Sequence, residues 1–120
     1  MKKILIVDDE PNIVMSLEYT FKKNNFEVFI ARDGQEALDI LKNSLPNIII
    51  LDVMMPNVDG YNTLEKIKKD ERLKDTKVIF LSAKNKEKDI EKGLSLGADL
   101  YMTKPFSVKK LVEQVNELTK

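Results

Sequence analysis

The chain has 120 residues, with 20 Lys plus Arg against 20 Asp plus Glu, and hence a formal net charge of +0. That length fits one domain, and a neutral total gives no electrostatic preference for DNA, RNA or an anionic membrane. Cysteine and histidine are both absent, which excludes disulfides, thiolate or imidazole metal sites, Cys nucleophiles, Ser-His-Asp catalysis and any phosphohistidine on this chain.

The first apolar run, Ile4–Val7, is too short before Asp8-Asp9-Glu10 to be a secretory signal. No run approaches a membrane span, so a cytoplasmic protein is expected. A first helix follows, with Ile13, Leu17 and Phe21 recurring at four-residue spacing. The second run, Val28–Ala31, has Glu27 and Arg32 at its ends and leads to a helix marked by Ala37, Leu38 and Leu41. The third run is Ile48–Leu51, and Leu64 with Ile67 marks the next helix. The fourth, Val78–Leu81, precedes a weaker helical face at Ile90 and Leu94. The fifth, Leu100–Met102, precedes the clearest face: Val108, Leu111, Val112, Val115 and Leu118. Pro11, Gly34, Pro46, Pro56, Gly60, Gly97 and Pro105 punctuate the series.

Strict strand–helix alternation predicts an α/β domain, a parallel sheet with right-handed crossovers and five helices on two faces. The first, third and fourth runs are continuously apolar, as strands buried on both faces should be. The second and fifth are mixed and suit the edges. The expected order is therefore 2-1-3-4-5, doubly wound and flavodoxin-like, with its switch point between strands 1 and 3. The functional crevice should lie at their carboxyl ends.

Strand 1 runs into Asp8-Asp9-Glu10-Pro11. Helix entry explains one carboxylate, with Asp9 or Glu10 near the N-cap and Pro11 in the first turn; metal binding accounts for the motif equally well. Strand 3 closes on Asp52, which the topology sets beside Asp8 and Asp9. Three carboxylates at one sheet edge repel each other unless a cation sits among them. With no His or Cys available, oxygen ligation points to a hard ion, Mg²⁺ or Mn²⁺. Strand 4 ends at Ser82, and strand 5 leads into Lys104-Pro105, a peptide bond in which the cis form is accessible. Three acids, one hydroxyl and one ammonium suit phosphoryl transfer, in which a carboxylate can be the nucleophile.

Along essentially its whole length the chain closely resembles the receiver domain of two-component response regulators. The resemblance rests on Ile4-Leu5-Ile6-Val7-Asp8-Asp9-Glu10, Leu51-Asp52-Val53-Met54-Met55-Pro56, Asp59-Gly60, Leu81-Ser82-Ala83, Gly97-Ala98-Asp99 and Lys104-Pro105-Phe106. It implies one receiver domain over residues 1–120 with Asp52 as phosphoacceptor. It further implies that Asp9 binds the metal directly, Asp8 through water, and Met54 through its backbone carbonyl. Ser82 matches the switch hydroxyl, Lys104 the phosphate-contacting lysine and Tyr101 the switch aromatic. Phosphorylation would be read out on the face of helix 4, strand 5 and helix 5. Ser82 stands where Thr is commoner, and Val58 where Met is often found. The phosphoryl group would come from outside, from a histidine kinase or phosphotransfer protein. Downstream, the resemblance leaves room for an effector protein, a fused output domain or a phosphorylation-dependent homodimer. It implies an acceptor that also loses its phosphoryl group, not a turnover enzyme. The sequence ends directly after its fifth helix, as in a single-domain regulator or an excised receiver.

Two other functions share parts of this pattern. A Mg²⁺-dependent phosphatase or phosphotransferase with an Asp nucleophile would place Asp-x-Asp after strand 1, where this chain has adjacent acids. A flavin- or nucleotide-binding module would need Gly, Ser or Thr donors there to cradle phosphate, and Asp8-Asp9-Glu10 would repel it.

Overall fold

Continuously apolar segments become interior strands because both of their faces can be covered. The computed structural model describes residues 1–55 and 59–120. It contains strands β1 (Lys2–Val7), β2 (Phe26–Ala31), β3 (Ile48–Leu51), β4 (Lys77–Ser82) and β5 (Leu100–Thr103). Helices α1 (Pro11–Lys23), α2 (Gly34–Leu41), α3 (Gly60–Lys68), α4 (Glu87–Ser95) and α5 (Val108–Leu118) alternate with them, and a 3₁₀ turn spans Glu71–Leu73. All strands are parallel, in the order β2-β1-β3-β4-β5. The expected order is the observed one. β2 begins earlier than its apolar run, because Phe26 is buried and Lys2 pairs with it.

The period-2 alternation of strand side chains splits the core between the two faces of the sheet. Ile4, Ile6, Ile48, Ile50, Ile79 and Leu81 face α1 and α5, where they meet Leu17, Phe21, Leu111 and Val115. Leu5, Val7, Ile49, Leu51, Val78 and Phe80 face the other way, toward Ala37 and Leu41 of α2 and Leu64 and Ile67 of α3. Each such side chain removed from water contributes roughly 1.5–3 kcal/mol of burial. The fourth helical face needs a correction. Ile90 is half-buried, but Leu94 is 45% exposed; the contact face of α4 runs instead through Gly93. A Cβ on Gly93 would lie 2.8 Å from the Tyr101 ring and 2.9 Å from the Phe80 ring, so glycine lets the helix close on them.

Local polar signals set the helix ends. Asp33, Asp59 and Ser107 are N-caps whose side chains accept from Glu36, Asn62 and Lys110 backbone N–H groups. Asn25, at φ 68°, takes the left-handed conformation that lets the chain leave α1 for β2. No helix among the described residues is long and apolar enough to cross a membrane.

Candidate functional site

The site is assembled by residues one step beyond the sheet, held by bonds that continue its ladders. Asp8 N–H donates to Ala31 O at 3.1 Å, Asp52 N–H to Val7 O at 3.0 Å, and Lys104 N–H to Ser82 O at 2.8 Å. β1 and β3 are paired with Val7 opposite Leu51, so Asp8 and Asp52 emerge side by side at the switch point. Their carboxylates and that of Asp9 offer oxygen atoms that all lie within 4.8 Å of one another.

Lys104 closes this group from the β5 side, after a Lys104–Pro105 peptide bond that is cis. Its ammonium donates to Asp8 Oδ2 at 3.0 Å and Asp52 Oδ2 at 3.2 Å, and lies 3.4 Å from Glu10 Oε2. Asp8 and Asp52 are only 2% and 4% exposed, whereas Asp9 opens to solvent. The electrostatics follow from that placement. Burial pushes the Asp8 carboxyl above its ordinary range, with the Glu10 backbone N–H and Lys104 pulling it partly back. Burial also pulls Lys104 down, but Asp8 and Asp52 outweigh it and hold the ammonium above its usual value. The cluster is thus a buried carboxylate pair stabilised by one lysine.

The helix-entry reading of Asp8-Asp9-Glu10-Pro11 is right in position and wrong in mechanism. Glu10 is the N-cap residue and Pro11 opens α1, yet no side chain caps the helix. Instead Asp8 Oδ1 accepts the Glu10 N–H at 2.9 Å, and the Glu10 side chain turns to Lys104. Glu10 was legible only as the third acid of a run, which signals no specific partner. Asp52 is held similarly: its Oδ1 accepts the Met54 N–H at 3.1 Å. Met54 is exposed beside it and, with Asp9, Met55, Asp59 and Lys84, lines a shallow cleft of about 430 Å³. Pro56 and Val58 lie outside the described residues.

A carboxylate offers about four lone-pair positions. Asp8 and Asp52 each use two on the bonds above, one on each oxygen, so every oxygen keeps a lone pair for a further partner. Convergent carboxylate oxygens without sulfur or nitrogen donors fit a hard divalent cation.

Ser82 closes β4, between the strands that lead to Asp52 and to Lys104, and Tyr101 lies on β5. Ser82 is fully buried, and its Oγ accepts the Lys84 N–H at 3.2 Å rather than meeting Asp52. Tyr101 is half-buried, its ring 5.7 Å from that of Phe80, and its hydroxyl donates to the Lys84 carbonyl at 2.8 Å. In this structure Tyr101 is therefore already turned inward. Burial pushes its phenol upward, while the neighbouring Ser82 and Tyr61 hydroxyls pull it partly back. Gly60, the first residue of α3, has a steric role that composition could not reveal. Its N–H donates to Val53 O at 2.9 Å, and a Cβ there would collide with the Asp52 carbonyl oxygen.

A doubly wound α/β domain with a carboxylate–lysine pocket at its switch point is the class that fold and site define. The chain belongs to the response regulator receiver domain family, which it matches over residues 4–116. It is 40% identical over 117 residues to the alkaline phosphatase synthesis transcriptional regulatory protein PhoP of Bacillus subtilis, covering 98% of this chain. The match covers 48% of PhoP, so the chain spans about half the length of that relative. Among solved structures, the receiver domain of the Francisella response regulator 1452 superposes with a TM-score of 0.92 at 35% identity, over 99% of this chain and 97% of that one. A BeF3-activated DrrB receiver domain gives 0.90 at 30% identity, over 98% and 97%. The chain is a receiver domain of the two-component response regulators.

Proposed function

We propose that Asp52 is the phosphoacceptor of this receiver domain, and that the domain is one signalling unit over residues 1–120. The observation that carries this reading is Lys104, whose ammonium bridges Asp8 and Asp52 at 3.0 and 3.2 Å. Burying two carboxylates on one lysine carries a desolvation cost, and such perturbed groups cluster at functional sites. One carboxylate oxygen of Asp52 attacks the phosphorus of a phosphorylated donor. The new oxygen–phosphorus bond forms as the bond to the donor breaks, and the leaving group retains that electron pair. Met54 N–H orients the nucleophile, and Lys104 balances charge on the transferred oxygens. Asp8, Asp9 and Asp52, with the Met54 carbonyl, would hold Mg²⁺ or Mn²⁺. Such an ion supplies charge neutralisation and a template for the phosphoryl oxygens.

With no histidine among these 120 residues, the donor is a phosphorylated group outside them: a histidine kinase, a phosphotransfer protein or a small acyl phosphate. The domain accepts and later loses one phosphoryl group and is not a turnover enzyme. It acts in the cytoplasm, and its readout passes through Ser82 and Tyr101 to the surface of α4, β5 and α5. That surface presents itself to an effector, an output domain or a second copy. Intact mass after treatment with acetyl phosphate and Mg²⁺ tests the assignment. One phosphoryl adduct is expected, lost on Asp52→Asn or on chelation; an adduct that survives either change overturns it.

A further inference from the structure

Among the described residues of α4, Gly93 alone is buried, and Lys86 at its N-cap supplies no capping side-chain bond. Its apolar anchoring is therefore thin for a helix that bounds the proposed output surface, and polar tethers carry more of the seating. One tether is Tyr101, through the Lys84 carbonyl. Another comes from α3. Tyr61 is 5% exposed, and its hydroxyl donates to the Asp89 carbonyl in the first turn of α4 at 3.1 Å. One turn on, Lys92 Nζ lies 4.4 Å from the centroid of the Tyr61 ring, within cation–π range. Residues three apart share a helix face, so Tyr61 grips α4 twice on the same side. Its ring meets Phe80 edge-on at 5.6 Å, and Phe80 in turn contacts Tyr101. Burial pushes the Tyr61 phenol up to about 12, so its hydroxyl remains a donor at neutral pH.

We propose that Tyr61 is a second positioning residue of the output surface: through Asp89 and Lys92 it fixes α4 against α3, and through the Phe80 contact and its own hydroxyl, which neighbours that of Tyr101, it sets the orientation of Tyr101. Movement of α4 then requires the Tyr61 grip to loosen together with the Tyr101–Lys84 bond. A leucine at this position would fill core but could neither donate to Asp89 nor attract Lys92. The link to signalling rests on Asp52 being the phosphoacceptor; the seating of α4 in the free protein does not.

Amide hydrogen exchange and tyrosine-ring NMR of the full chain, free and with beryllofluoride and Mg²⁺, test this. Tyr61→Phe keeps the ring and loses the hydroxyl. In the free form it should speed exchange at the Ile90 to Gly93 amides by about three- to tenfold, the loss of one net hydrogen bond. It should also shift the Tyr101 ring signals and leave the β1, β3 and β4 amides unchanged. Tyr61→Leu, which also removes the Lys92 contact, should enlarge both effects. Unchanged α4 exchange in Tyr61→Phe overturns the proposal, as does a rise of equal size across the sheet, which would mean uniform loss of stability. A wild-type protein indifferent to beryllofluoride overturns the phosphoacceptor reading, while the free-form exchange still decides the role of Tyr61.

Discussion

Tyr101 and Ser82 are joined through a single residue: the Lys84 carbonyl accepts the Tyr101 hydroxyl at 2.8 Å, and the Lys84 N–H donates to Ser82 Oγ at 3.2 Å. The backbone of the loop between β4 and α4 is thus held from the site on one side and from the edge strand on the other. A phosphoryl group on Asp52 would accept the Ser82 hydroxyl proton, and movement of Ser82 toward it would release the Lys84 N–H. The Tyr101 anchor moves with that backbone. This gives the switch a physical route, although one neutral hydrogen bond, worth about 0.5–1.5 kcal/mol, is far short of the roughly 5.5 kcal/mol that inverts a two-state equilibrium. The charged Lys104 contact has to share the work.

Ser82→Ala should leave Asp52 open to phosphorylation while weakening the distant response. Beryllofluoride-induced NMR shifts at Tyr101 and α4 should shrink in the variant, while those around Asp52 persist. Equal shifts at Tyr101 in both proteins would remove Ser82 from the route.

Lys104→Met should cost the metal-free protein about 3 kcal/mol at neutral pH, the low end for removing one partner of a buried charge pair, because the cluster opens to solvent at Asp9. The pH dependence has a definite sign. Asp8 already titrates above its ordinary range, so its ionised form is a cost at neutral pH that is relieved as pH falls through its folded value. Removing Lys104 raises that value further, and the deficit of the variant should shrink on acidification. In the wild type, the contribution of Lys104 is present below its ordinary value and lost as pH rises through its higher folded one. Urea unfolding in chelator at about pH 7 and about pH 4 checks the first statement.

Divalent metal should stabilise the fold by mass action, about 2.7 kcal/mol at 100 times the dissociation constant. Asp9→Ala should raise the metal-free melting temperature, because it relieves repulsion in the carboxylate group without breaking the Lys104 bonds. It should also flatten the response to Mg²⁺. A variant that melts lower without metal, or still responds fully to Mg²⁺, would contradict the arrangement.

Gly60→Ala places a methyl group against the Asp52 carbonyl oxygen and 2.7 Å from Val53 Cα, both backbone atoms that cannot rotate away. Overpacking of this kind costs about 1–3 kcal/mol. Because the displaced atoms belong to the proposed phosphoacceptor loop, uptake from acetyl phosphate should slow as well. Thermal melting and a mass time course read the two effects separately.

The order of the sheet was legible in composition, since Ile4-Leu5-Ile6-Val7, Ile48-Ile49-Ile50-Leu51 and Val78-Ile79-Phe80-Leu81 are apolar at every position and had to be central. That order alone brings Asp8 beside Asp52, so the acidic group followed from the sequence together with its absent His and Cys. Lys104 was legible at the same crevice, but which carboxylates it meets was not. Sequence spacing does not reveal that Glu10 turns from its helix to Lys104, because that pairing joins residues at opposite ends of the chain. Nor does helical periodicity show that α4 rests on Gly93 rather than Leu94, or that Tyr61 reaches Asp89. Hydrophobic pattern determines which face of an element is buried, because burial is a sum over many side chains. Which hydroxyl or ammonium meets which acceptor depends on ångström-scale placement between elements, and only the packed tertiary structure decides it.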